Sequence, residues 1–206
     1  MNSKLLEIAG QLLAYTFAGF GGIILLRLKE WYEVKKSNRL ITSQINHNAL
    51  IREALAEARE HFDSDRVKLF QFKNGNYYHS GESEQKLTLT HIVYRYGTGV
   101  PTSTLSSYTD IPISLLTKTL HLAISSEVAS FDVNDLDQDF FIKQHFAASN
   151  TSTVLLTKVK NSKEKLIGIL MVTWREEREV GINDAVKEYM DILSSRIGVL
   201  LSSSKS

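Results

Sequence analysis

Residues 8–26 read IAGQLLAYTFAGFGGIILL, with Gln11 the one strongly polar side chain in the run. That length approaches the ~20 residues a helix needs to cross bilayer hydrocarbon. The apolar run also continues past any small-residue cleavage point, which separates it from a signal peptide. It predicts one transmembrane helix over residues 8–28, behind a short flank of residues 1–7. Beyond it, Arg27, Lys29, Lys35, Lys36 and Arg39 face only Glu30 and Glu33, whereas the flank offers Lys4 against Glu7. The positive-inside rule then puts the N-terminus outside a cell or inner membrane and the remainder of the chain in the cytoplasm. Trp31 and Tyr32 suit the membrane interface, within a basic juxtamembrane helix over residues 29–39. Gly10, Ala14, Ala18 and Gly22 recur every four residues. They line one helix face, where close approach of backbones favours pairing in lipid and hence a parallel homodimer.

A chain of 206 residues leaves room after such a segment for one domain of ordinary size. Apolar residues at 43% and charged residues at 23% match a folded chain. Lys plus Arg at 24 against Asp plus Glu at 23 lacks the basic footprint of a nucleic-acid binder. The absence of cysteine excludes disulfides, thiolate metal sites, thiol nucleophiles and thioether-linked chromophores.

The order of elements follows from periodicity. No Gly or Pro occurs between Ile23 and Lys73, and Ile41, Ile45, Ile51, Leu55, Ala58 and Phe62 fall mostly at helical spacing. A long helix is expected there, with Ser37-Asn38 as its one candidate break. RVKLFQFK over residues 66–73 predicts a strand ending in an Asn74-Gly75 turn, and KLTLTHIVYRY over 86–96 predicts its antiparallel partner. Asp110 is expected to cap a helix through Leu122, with Pro112 in its first turn. A short strand at 128–131 follows, then a helix capped by Asp135 or Asp137 and ending near Ser149. Strands at 152–160 and 166–174 meet at Asn161-Ser162, and the unbroken LIGILMVTW of the second suits a central strand covered on both faces. Gly168 within it allows a close backbone approach. Asn183 is expected to cap a last helix carrying Ile182, Val186, Tyr189, Leu193, Ile197 and Leu200 on one stripe, before a tail of residues 204–206.

Helix, two strands, helix, short strand, helix, hairpin and closing helix resemble a GAF domain over residues 40–203. The segment LIGILMVTWREEREVGINDAVKEYMDILSSRIGVLL, residues 166–201, is the most similar to that family's terminal strand and helix. PAS domains are the nearest competitor, and the helical stripes before the first strand and after the last favour GAF. The resemblance implies an α+β fold, an antiparallel sheet of five or six strands with flanking helices, the first and last helices packing together behind the sheet.

Catalytic chemistry is not expected. No GxSxG, GxxxxGKS/T or GxGxxG string occurs. The histidines at 47, 61, 79, 91, 121 and 145 lack the spacing of a metal site. The run Asp132, Asn134, Asp135, Asp137, Asp139 misses the Gly and the terminal Glu of a calcium loop. The cyclic-nucleotide pattern of some GAF domains is absent, and bilin attachment or methionine sulfoxide reduction would need cysteine. No enzyme activity, metal or cofactor is therefore assigned. The resemblance implies a ligand pocket on the concave face of the sheet, and Asn74, Tyr77, Tyr78, His79, Tyr94, Tyr96, Phe131, Phe140 and His145 are the polar and aromatic candidates for it. The expected role is a membrane-anchored sensory or regulatory domain that binds a small molecule or a protein partner without a catalytic output of its own. The alternative is a membrane scaffold or assembly protein, including a virus-encoded one, that uses the domain only for protein–protein interaction.

Overall fold

The computed structural model describes residues 2–77, 83–99, 105–136 and 140–203, and side chains from residue 26 onward except those of residues 76 and 140. The chain divides into two compact units, Met1–Asn46 and His47–Ser206. Helix α1 spans Asn2–His61, without a break at Ser37-Asn38, where the Thr42 hydroxyl donates to the Asn38 carbonyl at 2.9 Å. Ile41 and Ile45, expected on the apolar stripe, are exposed; the buried positions begin at Ile51. Among the described residues no helix is long and apolar enough to cross a membrane. The side chains of residues 8–25, including the Gly10, Ala14, Ala18 and Gly22 face, lie outside the described residues.

Six antiparallel strands form the second unit's sheet: β1 (Arg66–Tyr77), β2 (Ser83–Tyr94), β3 (Ile111–Pro112), β4 (Val128–Asp132), β5 (Thr153–Lys160) and β6 (Leu166–Trp174), in the order β3-β2-β1-β6-β5-β4. Among the described residues the further α-helices with complete bounds are α2 (Thr117–Ser125), α3 (Phe140–Ala148) and α4 (Asp184–Ser203). Two cores sandwich the sheet. On one face Ile51, Ala54, Leu55 and Ala58 of α1 meet Met190, Leu193 and Ile197 of α4 over Val67, Leu69, Leu170 and Val172. On the other, Ile142 and Phe146 of α3 and Leu120 of α2 cover Phe70, Val154, Leu156, Ile169 and Met171. Strand β6 alternates between the two cores, Ile169 and Met171 on one and Leu170 and Val172 on the other. Covering both faces is why its sequence reads as an unbroken apolar run.

The first and last helices close behind the sheet as the resemblance implies. His61 stacks on Tyr189 with centroids 3.8 Å apart, and Arg196 bonds Glu57 at 2.6 Å. Asn183 caps α4 by accepting the Val186 N–H at 2.9 Å. Helix α4 also lies close to the end of β5 because Gly198 has no side chain: a Cβ there would collide with the Lys160 carbonyl. Gly168 likewise faces the Phe70 carbonyl across the β1–β6 pair.

Three local expectations need correction. Asn74-Gly75 does not turn the chain; β1 runs on to Tyr77, with Asn74 opposite Gln85 and accepting its side-chain amide at 3.1 Å. Gly75 serves cross-strand closeness instead, since a Cβ would lie 2.9 Å from the Glu84 carbonyl. Asp110 caps no helix: at φ 60 its carboxylate pairs with Lys73 and accepts from the Thr88 hydroxyl at 3.1 Å, docking Ile111–Pro112 on β2 as an edge strand before a 3-10 turn at Ile113–Leu116. The cap after β4 is Asp132, which accepts the Asn134 N–H at 2.7 Å and starts a 3-10 turn that contains Asp135; Asp137 and Asp139 lie outside the described residues.

Candidate functional site

Strand β1 lies between β2 and β6, so both its edges are paired, and it contributes residues to the cores on both faces of the sheet. Val67 and Leu69 point to the α1/α4 core, and the alternate positions Arg66, Lys68 and Phe70 point to the α3 side. Two cations therefore stand where an apolar strand would place core residues. Arg66 is accommodated by carbonyls: its guanidinium donates to Thr98 O, to Ser149 O at 2.8 Å and to the Thr151 hydroxyl at 3.4 Å. Lys68 is not. Its side chain is 0% exposed, and among the described residues its Nζ has no hydrogen-bond partner. The amine sits over two ring faces, 5.0 Å from the centroid of Tyr108 and 5.6 Å from that of Phe146.

Magnitudes show what this costs. An unpaired buried ammonium is disfavoured by several kcal/mol. A desolvated cation–π contact returns about 2 kcal/mol. The shortfall appears in proton affinity: burial first, and the neighbouring Arg66 charge second, bring Lys68 down from 10.5 to about 7. The surroundings add polar groups, and the Asp65 charge works against burial at Arg66. Tyr108 is fully buried, with its hydroxyl donating to the His145 carbonyl at 3.3 Å and lying 3.5 Å from the Ser149 hydroxyl. Burial holds its ionisation above the usual tyrosine range, against the pull of Ser149 and Arg66. His145 is held between Tyr108 and Phe141, with Nδ1 3.0 Å from the Ser107 hydroxyl. Its proton affinity is lowered by burial and then by Lys68. Among the described residues no carboxylate forms an ion pair with Arg66 or Lys68, and no group of three or more His, Asp or Glu is placed to hold a metal. Beside Arg66, a cleft of about 1020 Å³ is lined by Thr151 together with mixed charges that include Asp63, Arg95, Lys143 and Arg175.

The structure brings together only part of the expected site. His145 lies at this cluster, and Phe131 packs against the same core with its ring 6.3 Å from that of Phe146. Tyr94 is half exposed opposite Arg66, at the far end of the β1–β2 hairpin from Asn74 and Tyr77. Eight residues of strand separate those ends, roughly 25 Å, so one small ligand cannot touch both. Tyr77 is 77% exposed and Tyr96 fully exposed. Tyr78, His79 and the Phe140 side chain lie outside the described residues. Sequence reasoning missed Arg66, Lys68 and Tyr108. The available signal was two cations in register with Phe70 and Phe72 on a strand that the topology makes central.

No family model matches the chain, and no curated protein sequence matches it. Solved structures do. The GAF domain of PixJ from Thermosynechococcus elongatus, in its blue-light-absorbing form, superposes with a TM-score of 0.58 at 14% identity, over 79% of this chain and 88% of that one. The fold is that of a GAF domain. A phycoerythrobilin-bound GAF domain from a cyanobacterial phytochrome gives 0.54 at 16% identity, over 82% and 90%. The GAF domain region of a Geobacter sulfurreducens PCA chain, whose name assigns it to the membrane, gives 0.56 at 10% identity, over 80% and 99%.

Proposed function

We propose that the chain is a membrane-anchored, noncatalytic sensory or regulatory module of GAF type, binding a small molecule on the α3 side of its sheet. The observation that carries the reading is Lys68, an amine wholly buried on that face with no hydrogen-bond partner. A core serving only stability has no use for such a group, because an apolar residue of equal volume is as good or better. A binding site does, because a ligand supplies the missing acceptor. The fold agrees with this use: one structural neighbour holds phycoerythrobilin and another is a domain of a sensor histidine kinase. Without cysteine, this chain would hold its ligand without a thioether bond.

Anchoring rests on the apolar run at 8–26 and the basic residues after it. A reporter fused after Ser206 is expected to act only as a cytoplasmic form; export of an active C-terminal phosphatase fusion would remove this topology. The ligand reading is tested by native mass spectrometry of the full chain in detergent, with a bound small molecule expected. A chain that carries none, and shows no thermal shift across a metabolite panel, overturns it. The scaffold reading would then lead, and exposed Tyr77 and Tyr96 are the aromatic contacts it would use.

A further inference from the structure

We propose that Lys68 is the anchor for the carboxylate of a small organic acid, bound between β1 and α3 against the rings of Tyr108 and Phe146. The inference rests on the ligand reading above and adds the chemical class. Three groups on this face carry or can carry positive charge: Arg66, Lys68 and His145. Among the described residues none of them is balanced by a bonded carboxylate. Asp65 partly offsets the Arg66 charge, so the uncompensated positive charge rests on Lys68, where an anion suits better than a cation.

The donor inventory narrows the anion further. Arg66 commits Nε to Thr98 and Nη1 to Ser149 and Thr151, and neither Nη2 nor the Lys68 ammonium takes part in these bonds, so both cations keep donors for a ligand. What separates an organic carboxylate from inorganic phosphate is the apolar character of the surroundings, since a carboxylate can carry an apolar body and phosphate cannot. The side chains packed around the amine are aromatic, with Phe141 and Phe131 beside Tyr108 and Phe146. It would receive the apolar body of an organic acid. Lys68 and the neighbouring Arg66 stand two residues apart on one strand face, so the carboxylate would bond Lys68 and lie near the Arg66 charge.

The test uses the full chain in detergent at pH 6.5, with acetate, pyruvate, benzoate and phenylacetate as probes against benzamide and inorganic phosphate. At least one carboxylate is expected to raise the melting temperature and to move the ¹³Cε resonance of Lys68, with benzamide and phosphate doing neither. Lys68→Met, which keeps the volume and the ring contacts, is expected to weaken that carboxylate at least tenfold. Carboxylate binding that persists in Lys68→Met, or that leaves the Lys68 resonance unmoved, overturns the anchor. Tighter binding of benzamide or phosphate overturns the carboxylate class and leaves the ligand reading standing. If no probe binds and the purified chain carries no ligand, both readings fall together.

Discussion

Lys68 and Arg66 are two residues apart on the same face, yet their replacement by methionine should have opposite effects. Arg66 supplies the donors of the Thr98 and Ser149 carbonyls, so Arg66→Met strands them and should cost about 2–4 kcal/mol in urea unfolding. Lys68 has ring contacts but no hydrogen bond among the described residues, so Lys68→Met removes a charge compensated only in part and should stabilise the ligand-free protein by about 1–4 kcal/mol below pH 7. A destabilised Lys68→Met would mean that the amine has a structural partner. The pH profile carries the same information. With a folded value of about 7 against an ordinary 10.5, the unfolded chain binds more protons across that interval. Stability gained from losing the buried charge should therefore rise as pH goes from 7 to 10.5, by about 1.4 kcal/mol per unit at the steepest. The penalty is fully present below 7, and the difference between wild type and Lys68→Met should shrink across the interval. A constant difference would contradict a depressed lysine.

At the scale of elements, the tightest constraint is where α4 meets the β5–β6 turn. Gly198→Ala places a methyl group on the Lys160 carbonyl, and since both partners are backbone the strain should cost about 1–3 kcal/mol. Gly181→Ala, with open space around it and no left-handed φ, should stay within about 0.5 kcal/mol. Equal effects in thermal unfolding would show that α4 can move away freely. Elements with strong one-dimensional signals stand where the sequence places them: β6 covers Leu166–Trp174, and α4 starts after Asn183. Elements whose signals depend on a neighbour do not. Asp110 reads as a helix cap in isolation but is claimed by Lys73 and Thr88 of the β1–β2 hairpin. Asn74-Gly75 reads as a turn, but cross-strand pairing holds it extended.

For the whole molecule, the proposed arrangement is a parallel homodimer in the membrane, with Gly10, Ala14, Ala18 and Gly22 as the pairing face. Single cysteines at Ala14, Ala18 and Gly22 should crosslink in membranes more efficiently than cysteines at Leu13 and Phe17. Equal yields around the helix, with a monomer at every membrane density, would remove that face. Apart from the edge strand β3 and the caps at Asp110 and Asp132, the sequence alone determined the order of helices and strands and the covered central strand β6, because periodicity is a local signal that survives without tertiary context. It also carried the absence of cysteine chemistry, which composition decides outright. Only the tertiary structure decided the candidate site. Arg66 and Lys68 read as the solvent side of an ordinary alternating strand until β1 is placed between β2 and β6 with α3 over it. Burial turns those charges from solvated surface into unmet hydrogen-bonding capacity, and burial is a property of packing that no single strand encodes.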